Sequence, residues 1–216
     1  INPKKFKNPE LPRFVHCDLA ITGDSAGFAI GTVTGFKTMT RGDGTVELLP
    51  DIWIDAVLEI TPPKNGEILF YKVREVIYAM KKLGMNIRWV SFDSFQSRDS
   101  MQLLKQAGYM VGYQSMDTSM APYEYVKNAL YDGRLSLPHH PKLVYELSSL
   151  EKDIKKRKID HPAHASKDVS DALAGVVYGL TMRREIWARF NIPLGQLPKS
   201  VLEQIQKAKE PQGAQG

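Results

Sequence analysis

Between residues 13 and 21 apolar and polar positions alternate, with Val15, Cys17, Leu19 and Ile21 on one side and Phe14, His16, Asp18 and Ala20 on the other. That two-residue period predicts a β-strand, and it sets an acid, Asp18, within an otherwise apolar stretch. Gly23 to Gly27 predicts a turn, Phe28 to Thr34 a second strand, Gly42-Asp43-Gly44 a hairpin tip, and Val46 to Ile60 a third strand. Two antiparallel hairpins in succession leave the outer edge of the first strand open to a further partner. Thr61-Pro62-Pro63 stops the strand pattern. Leu69, Val73, Val76, Ile77, Met80 and Leu83 then recur at helical spacing up to Gly84, a helix of about 17 residues with a glycine at its C-terminus.

Ile87 to Phe92 is a short apolar run followed at once by Asp93, which reads as a buried strand. A helix near residues 97–107 and a strand near 109–114 complete a β-α-β crossover, so the sheet becomes parallel from here. After Pro122 come a short helix ending at Gly133, a brief strand over Leu135–Leu137, and an amphipathic helix marked by Leu143, Val144, Leu147, Leu150 and Ile154. Glu151 and Lys155, four apart, read as a supporting pair on that helix. The last clear helix opens at Ser166 or Asp168 and runs through Val169, Leu173, Val176, Val177 and Leu180. Beyond Trp187, Pro193, Pro198 and the Gly- and Gln-rich end from Pro211 predict a tail. The expected organisation is an N-terminal linker remnant over 1–12, one α/β domain over 13–186, and a C-terminal extension over 187–216 with a partly flexible tail.

Composition narrows the class. At 216 residues and 43% hydrophobic content the chain can bury one sizeable core. The opening Ile1-Asn2-Pro3-Lys4-Lys5 has no apolar signal region, and the expectation is a fragment cut from something longer. No run of 18 apolar residues predicts a membrane span, and the single cysteine, Cys17, cannot form an internal disulfide, which fits a reducing cytoplasm. Twenty-nine Lys and Arg against 24 Asp and Glu leave a formal charge of +5, enough to favour polyanions without naming one. Each basic cluster, including Lys155 to Lys158, reads first as a solvated face.

The acids carry the candidate chemistry. An Asp inside a buried strand costs several kcal/mol unless it is paired or bound to a metal, so Asp18 asks for a cation. Asp93 also fits a cap of the helix that follows, and Asp168 and Asp171 fit first-turn acids favoured by a helix dipole. Yet Asp168, Asp171, Ala172 and Gly175 share one helix face, a small acid-bearing surface. Hydrolysing a phosphodiester with two Mg²⁺ or Mn²⁺ ions about 4 Å apart requires several hard oxygen ligands, and Asp supplies them. One ion would lower the pKa of the attacking water and the other would stabilise the leaving 3′ oxygen. Asp18, Asp93 and Asp168 are the candidate catalytic ligands, with Asp171 a second ligand or support and Asp24 a further candidate or a plain turn residue. Lys37, Arg41 and Arg134 are the candidate DNA-backbone contacts. His161 and His164, three apart and with one remote cysteine, make a weak case for zinc.

The order of these elements resembles the ribonuclease-H-like fold, an α/β fold with a mixed sheet of three antiparallel strands followed by parallel ones, flanked by helices. In that fold one Asp lies mid-way along the first strand, one acid at the end of the fourth and one at the start of a late helix, the positions of Asp18, Asp93 and Asp168. More narrowly, His16-Cys17-Asp18-Leu19-Ala20 with Gly23-Asp24-Ser25-Ala26-Gly27, then Phe92-Asp93-Ser94, then Ser166-Lys167-Asp168-Val169-Ser170-Asp171-Ala172-Leu173-Ala174-Gly175 resembles the nuclease domain of the large terminase subunits of tailed bacteriophages, over roughly residues 10 to 185. The resemblance implies a metal-dependent endonuclease that cuts double-stranded viral DNA concatemers during packaging with Mg²⁺ or Mn²⁺. It implies as partners an ATPase domain of the same full-length chain, the portal and the small terminase subunit, and as location the host cytoplasm. No Gly-x-x-x-x-Gly-Lys-Ser/Thr loop occurs, so no ATPase activity is expected of this stretch. Residues 37 to 49 make a longer excursion than a minimal module needs and suggest a β-hairpin that guides DNA or meets the portal. A Holliday-junction resolvase or integrase-like nuclease, and a non-catalytic DNA-binding or portal-docking module, remain as alternatives.

Overall fold

The computed structural model describes residues 8–19, 25–93, 97–162 and 165–207. The alternating stretch forms β1 (Arg13–Asp18), followed by β2 (Ala26–Thr40), β3 (Val46–Ile60), α1 (Phe70–Lys82), β4 (Ile87–Phe92), α2 (Arg98–Gln106) and β5 (Met110–Tyr113). Then come α3 (Ala121–Tyr131), β6 (Leu135–Ser136), α4 (Pro141–Ser149), β7 (Glu151–Asp153), β8 (Lys158–Asp160), α5 (Asp168–Met182), α6 (Arg184–Arg189) and α7 (Lys199–Lys207). Six strands make one sheet in the order β5-β4-β1-β2-β3-β6. The first three are antiparallel, and β4 adds in parallel to the free edge of β1, with β5 parallel beyond it. This is the mixed sheet that the sequence predicts.

Strand alternation divides the core in two. Val15 and Cys17 join Phe28, Ile30, Ile77 and Leu104 on the α1/α2 side, while Phe14 joins Ala29, Trp89, Val176 and Leu180 on the α5 side. Helix α5 is covered on nearly all sides, with Val169, Leu173 and Val177 in the same cluster as Val126 of α3 and Leu143 of α4. Its contact with the sheet depends on two glycines four residues apart. A Cβ on Gly179 would overlap the Phe14 ring, and one on Gly175 would overlap the His16 ring. Four helical residues advance about 6 Å and two strand residues about 6.6 Å, so helix and strand stay in step.

Three sequence expectations need correction. The second strand is longer than Phe28–Thr34, because residues 35–40 pair with 46–51 to extend the β2–β3 ribbon to a tip where Gly44 has φ 83°. The amphipathic helix does not reach Ile154. It stops at Ser149, where Ser148 and Ser149 hydroxyls bond back to the Val144 and Tyr145 carbonyls, a local alternative that weakens helix continuation. Leu150 is extended, and residues 151–160 form a β7–β8 hairpin, so Glu151 and Lys155 are not a helical pair. The third correction is at the C-terminal end. Residues after Trp187 are not simply a tail, since α7 returns to α5 and Leu197 and Val201 bury Trp187, whose indole N–H donates to the Thr181 carbonyl at 2.8 Å.

At the other end of the chain, Leu11 is buried, and fully buried Arg13 donates to Asp55 at 3.0 and 3.2 Å and to the carbonyls of Asn8, Pro9 and Leu11. The segment before β1 is thereby tied to β3.

The helix–sheet contact makes a prediction with an unusual sign. Alanine normally improves a helix relative to glycine by about 1 kcal/mol, but Gly175→Ala is expected to lower unfolding free energy by about 1–3 kcal/mol through overpacking on His16. Gly35→Ala, where an added Cβ meets nothing within 4 Å, is expected to change it by less than about 0.5 kcal/mol. Urea denaturation of the two variants checks the contrast.

Candidate metal centre

The same register that seats Gly179 on Phe14 and Gly175 on His16 continues one step further, to Asp171 and Asp18. Asp18 ends β1 and pairs across the sheet with Gly27 of β2. A Cβ on Gly27 would overlap the Asp168 carbonyl, so the glycine lets the first turn of α5 sit directly on β2. On the other flank, the Asp93 backbone N–H donates to the Cys17 carbonyl at 3.2 Å, which sets Asp93 beside Asp18 at the C-terminal ends of two parallel strands. Four acids from three stretches of chain thus face one another.

Their electrostatics record that proximity. Asp18 is pushed up to about 8, first by burial and then by the charges of Asp171, Asp93 and Asp168. Asp171 is raised to about 6, burial outweighing the Lys167 charge and the hydrogen bonds from Lys167 and Tyr123. Asp93 is raised, again chiefly by burial. His16, although next door, is lowered to about 3 by burial alone and is neutral, with Nδ1 2.7 Å from the Ser91 hydroxyl. It contributes no positive charge.

Each flanking carboxylate is held by its own partner. Ser25 Oγ donates to Asp168 Oδ2 at 2.6 Å, and the Met116 backbone N–H donates to Asp93 Oδ2 at 3.1 Å. Asp171 accepts from the Tyr123 hydroxyl at 2.6 Å and from the Lys167 ammonium at 2.5 Å. As the side chains stand, no three His, Cys, Asp or Glu groups among the described residues are gathered tightly enough to grip an ion.

Asp24 and His164 lie outside the described residues. His161 turns to its own neighbourhood, Nδ1 lying 2.8 Å from the Pro162 carbonyl. Lys37, Arg41 and Arg134 each have protein partners away from the four acids. Lys37 lies ten residues along β2 from Gly27, about 30 Å at ordinary strand rise, and pairs with Asp51 and the Gly133 carbonyl. Arg41 pairs with Glu47 and Asp132, and buried Arg134 is held by Asp132 and the Pro50 carbonyl. Together these contacts brace the β2–β3 ribbon against the end of α3.

This architecture is shared with solved structures. Two structures of the large terminase nuclease from thermophilic phage G20c match with TM-scores of 0.57 and 0.55 at 11% and 12% identity, covering 79% of this chain and 83% and 82% of theirs; the second has bound magnesium. The HK97 bacteriophage large terminase matches with a TM-score of 0.54 at 14% identity over 78% of this chain, which spans 39% of the HK97 chain. The fold is that of the large-terminase nucleases. No protein-family model matches the sequence, and no curated protein sequence does. At such low identity the likeness establishes the terminase-nuclease fold, and chemistry must be argued from the side chains.

Those side chains include several that the sequence alone did not single out. Glu146 of α4 is fully buried, accepts from the Ser170 backbone N–H at 2.7 Å and from the Ser166 hydroxyl at 3.1 Å, and so caps α5 from another helix. It has to, because the residue at the N-cap is Lys167, which cannot accept a hydrogen bond. Tyr123 orients Asp171 from α3. An acid within an amphipathic helix pattern gives no sign that it faces inward, and only the Pro-led start of α4 hinted at where the helix begins.

Removing this borrowed cap has a defined cost. Glu146→Ala leaves the Ser170 N–H buried and unmatched, and is expected to lower stability by about 1–3 kcal/mol, read as a shift in the chemical-denaturation midpoint with unchanged slope.

Proposed function

We propose that this chain is the nuclease part of a terminase large subunit, a divalent-metal-dependent endonuclease that cuts double-stranded viral DNA concatemers during genome packaging. The carrying observation is the convergence of Asp18, Asp93 and Asp168 where two parallel strands end and a helix begins, in a terminase-nuclease fold. The donor set is entirely carboxylate oxygen, the chemistry that suits Mg²⁺ or Mn²⁺. One G20c nuclease structure with this fold has magnesium bound.

In this reading Asp18 lies between its partners and contributes to both halves of the site, while Asp93 and Asp168 complete it from either side. Ser25 and the Met116 N–H orient the two flanking carboxylates. Asp171, already satisfied by Tyr123 and Lys167, supports the ring, and Asp24 is a further candidate ligand. Two ions, when bound, supply Lewis acidity that activates water and offsets charge on the phosphate. The polypeptide supplies a rigid edge on which the scissile backbone is presented.

DNA must be held by positive charge nearby, since the ring itself repels phosphate. The β7–β8 hairpin supplies it. Lys155, Lys156 and Arg157 are exposed at its tip beside Ile154, which is 76% exposed, and Lys158, the first residue after the turn, pairs with Asp160 at 2.7 Å and with Asp117 at 3.9 Å. Asp117 in turn pairs with Lys167 of the acid cluster. The hairpin is therefore linked to the centre, through Asp117, by the residue next to its tip. By the same reading the partners are an ATPase domain of a longer chain, the portal and the small terminase subunit, in the host cytoplasm. Among the described residues no helix is long and apolar enough to cross a membrane.

One observation favours a second reading, a DNA-binding or portal-docking module: every flanking acid already has a protein partner. Cleavage separates the two. With linear duplex or plasmid DNA and Mn²⁺, the parent chain is expected to cut and EDTA to stop it, while Asp18→Asn and Asp93→Asn lose at least about a hundredfold in rate. An Asp18→Asn chain that cuts as well as the parent refutes the catalytic assignment, and strong preference for a four-way junction over linear duplex points to a resolvase instead. For the hairpin, Lys155→Ala with Arg157→Ala is expected to weaken duplex binding in Ca²⁺. The slope of log K against log salt should flatten by about 0.9 for each phosphate that the variant no longer neutralises.

A further inference from the structure

Lys167 is misplaced by each local rule. It occupies the N-cap of α5, where the helix dipole disfavours a cation by about 0.3–1 kcal/mol. Its side chain cannot cap, and Glu146 is recruited from α4 to do so. The residue is only 7% exposed, and an ammonium taken out of water requires close counter-charge. The ring provides that charge: Nζ lies 2.5 Å from Asp171 Oδ2 and 2.9 Å from Asp117 Oδ1, and its field also acts on Asp18 and Asp93.

We infer that Lys167 is a built-in counter-cation, whose ammonium neutralises the acid ring in the metal-free chain and competes with divalent ions for it. The inference rests on the reading of these acids as metal ligands. The two partners of Lys167 differ in a way that makes exchange feasible. Asp171 is inside the ring and 3% exposed, whereas the Asp117 side chain is half exposed, outside the ring on the segment after β5. A lysine ammonium is a point charge on a flexible four-carbon stem. It can therefore stay paired with Asp117 while Asp171 and its neighbours turn to an ion. Lys167 is a positioning residue: it sets how strongly the ring attracts metal and takes no part in bond making.

Two substitutions in the full chain should act in opposite directions. Lys167→Met removes the competitor, so Mn²⁺ binding measured by calorimetry is expected to tighten about tenfold or more, the melting temperature in EDTA to fall, and the rise in melting temperature on adding Mg²⁺ to grow. Asp117→Asn removes the alternative partner, leaves the ammonium on Asp171, and is expected to weaken Mn²⁺ binding. Should Lys167→Met be unfolded in EDTA, Mg²⁺ is expected to restore a cooperative melting transition, and failure to do so overturns the inference. Parent and Lys167→Met chains that bind Mn²⁺ equally well, or a weaker-binding Lys167→Met, would leave the metal centre standing and sink the counter-cation. If neither binds Mn²⁺, the reading of the acids as ligands fails with it.

Discussion

The site depends on how closely α5 approaches β1. Helices normally stand off a sheet by the length of their side chains, but Gly175 and Gly179 let the α5 backbone settle onto the rings of His16 and Phe14. Because four helical residues and two strand residues advance by nearly the same length, a contact fixed at Gly179 is repeated at Gly175 and repeated again at Asp171. The acid on the helix is delivered to the acid on the strand by packing. Gly27 does the same for Asp168 on the adjacent strand. Larger side chains at these three glycines would lift the helix, and the carboxylates would separate with it.

Bringing like charges together is costly, and the chain carries several devices that contain the cost. The ring gains hydrogen bonds from Ser25, Tyr123 and the Met116 N–H, each of which favours the ionised carboxylate it touches. Burial works the other way on Asp18, and the charges of Asp171, Asp93 and Asp168 add to it, so that Asp18 is pushed up to about 8. The single ammonium of Lys167 offsets part of the negative charge. Its position at a helix N-terminus displaces the residue that would ordinarily cap α5, and the fully buried carboxylate of Glu146 fills that gap from α4. Glu146 itself is raised by burial, and Asp168 adds to the rise. The cluster therefore extends across α3, α4 and α5, and changes in any of the three helices reach the acids.

Much of this was legible in the sequence, for reasons that can be traced to particular residues. The alternation around Asp18 predicts a buried strand that carries an acid, the apolar run before Asp93 predicts one followed by an acid, and the open edge of β1 predicts that they are neighbours; that Asp18 ends its strand is shown only by the fold. The face shared by Asp171 and Gly175 is readable from helical spacing. The hairpin over 151–160 was not legible, because Leu143, Leu147, Leu150 and Ile154 keep a helical interval right through it. Helical spacing says which residues would share a face if a helix formed. It does not say where serine hydroxyls bond back to the chain, nor that Arg157 adopts a left-handed conformation, φ 53°, in the turn. Spacing says least about charged residues. Arg134 in isolation is a free cation, and only the fold shows Asp132 and the Pro50 carbonyl waiting for it. Lys167 is the converse case, a lysine beside two aspartates whose burial nothing in the local pattern reveals.

That contrast bears on how the terminase-nuclease fold is kept at 11–14% identity. In this chain the close approach of α5 to β1 and β2 needs small residues at Gly27, Gly175 and Gly179, and it is this approach that brings the first-turn acids of the helix to the acid ending β1. The surrounding residues need only fill volume and satisfy polar groups, and many sequences can do both. Exposed cations are constrained differently, because a charge acts at a distance and needs no fixed partner. In this chain Lys155, Lys156 and Arg157 are exposed at the tip of a hairpin that is linked beside that tip, through Lys158, Asp117 and Lys167, to the acid cluster. The exposed cations at the tip are thereby connected to the carboxylates by a short chain of ion pairs, so the placement of the hairpin and the placement of the acids are coupled within one fold.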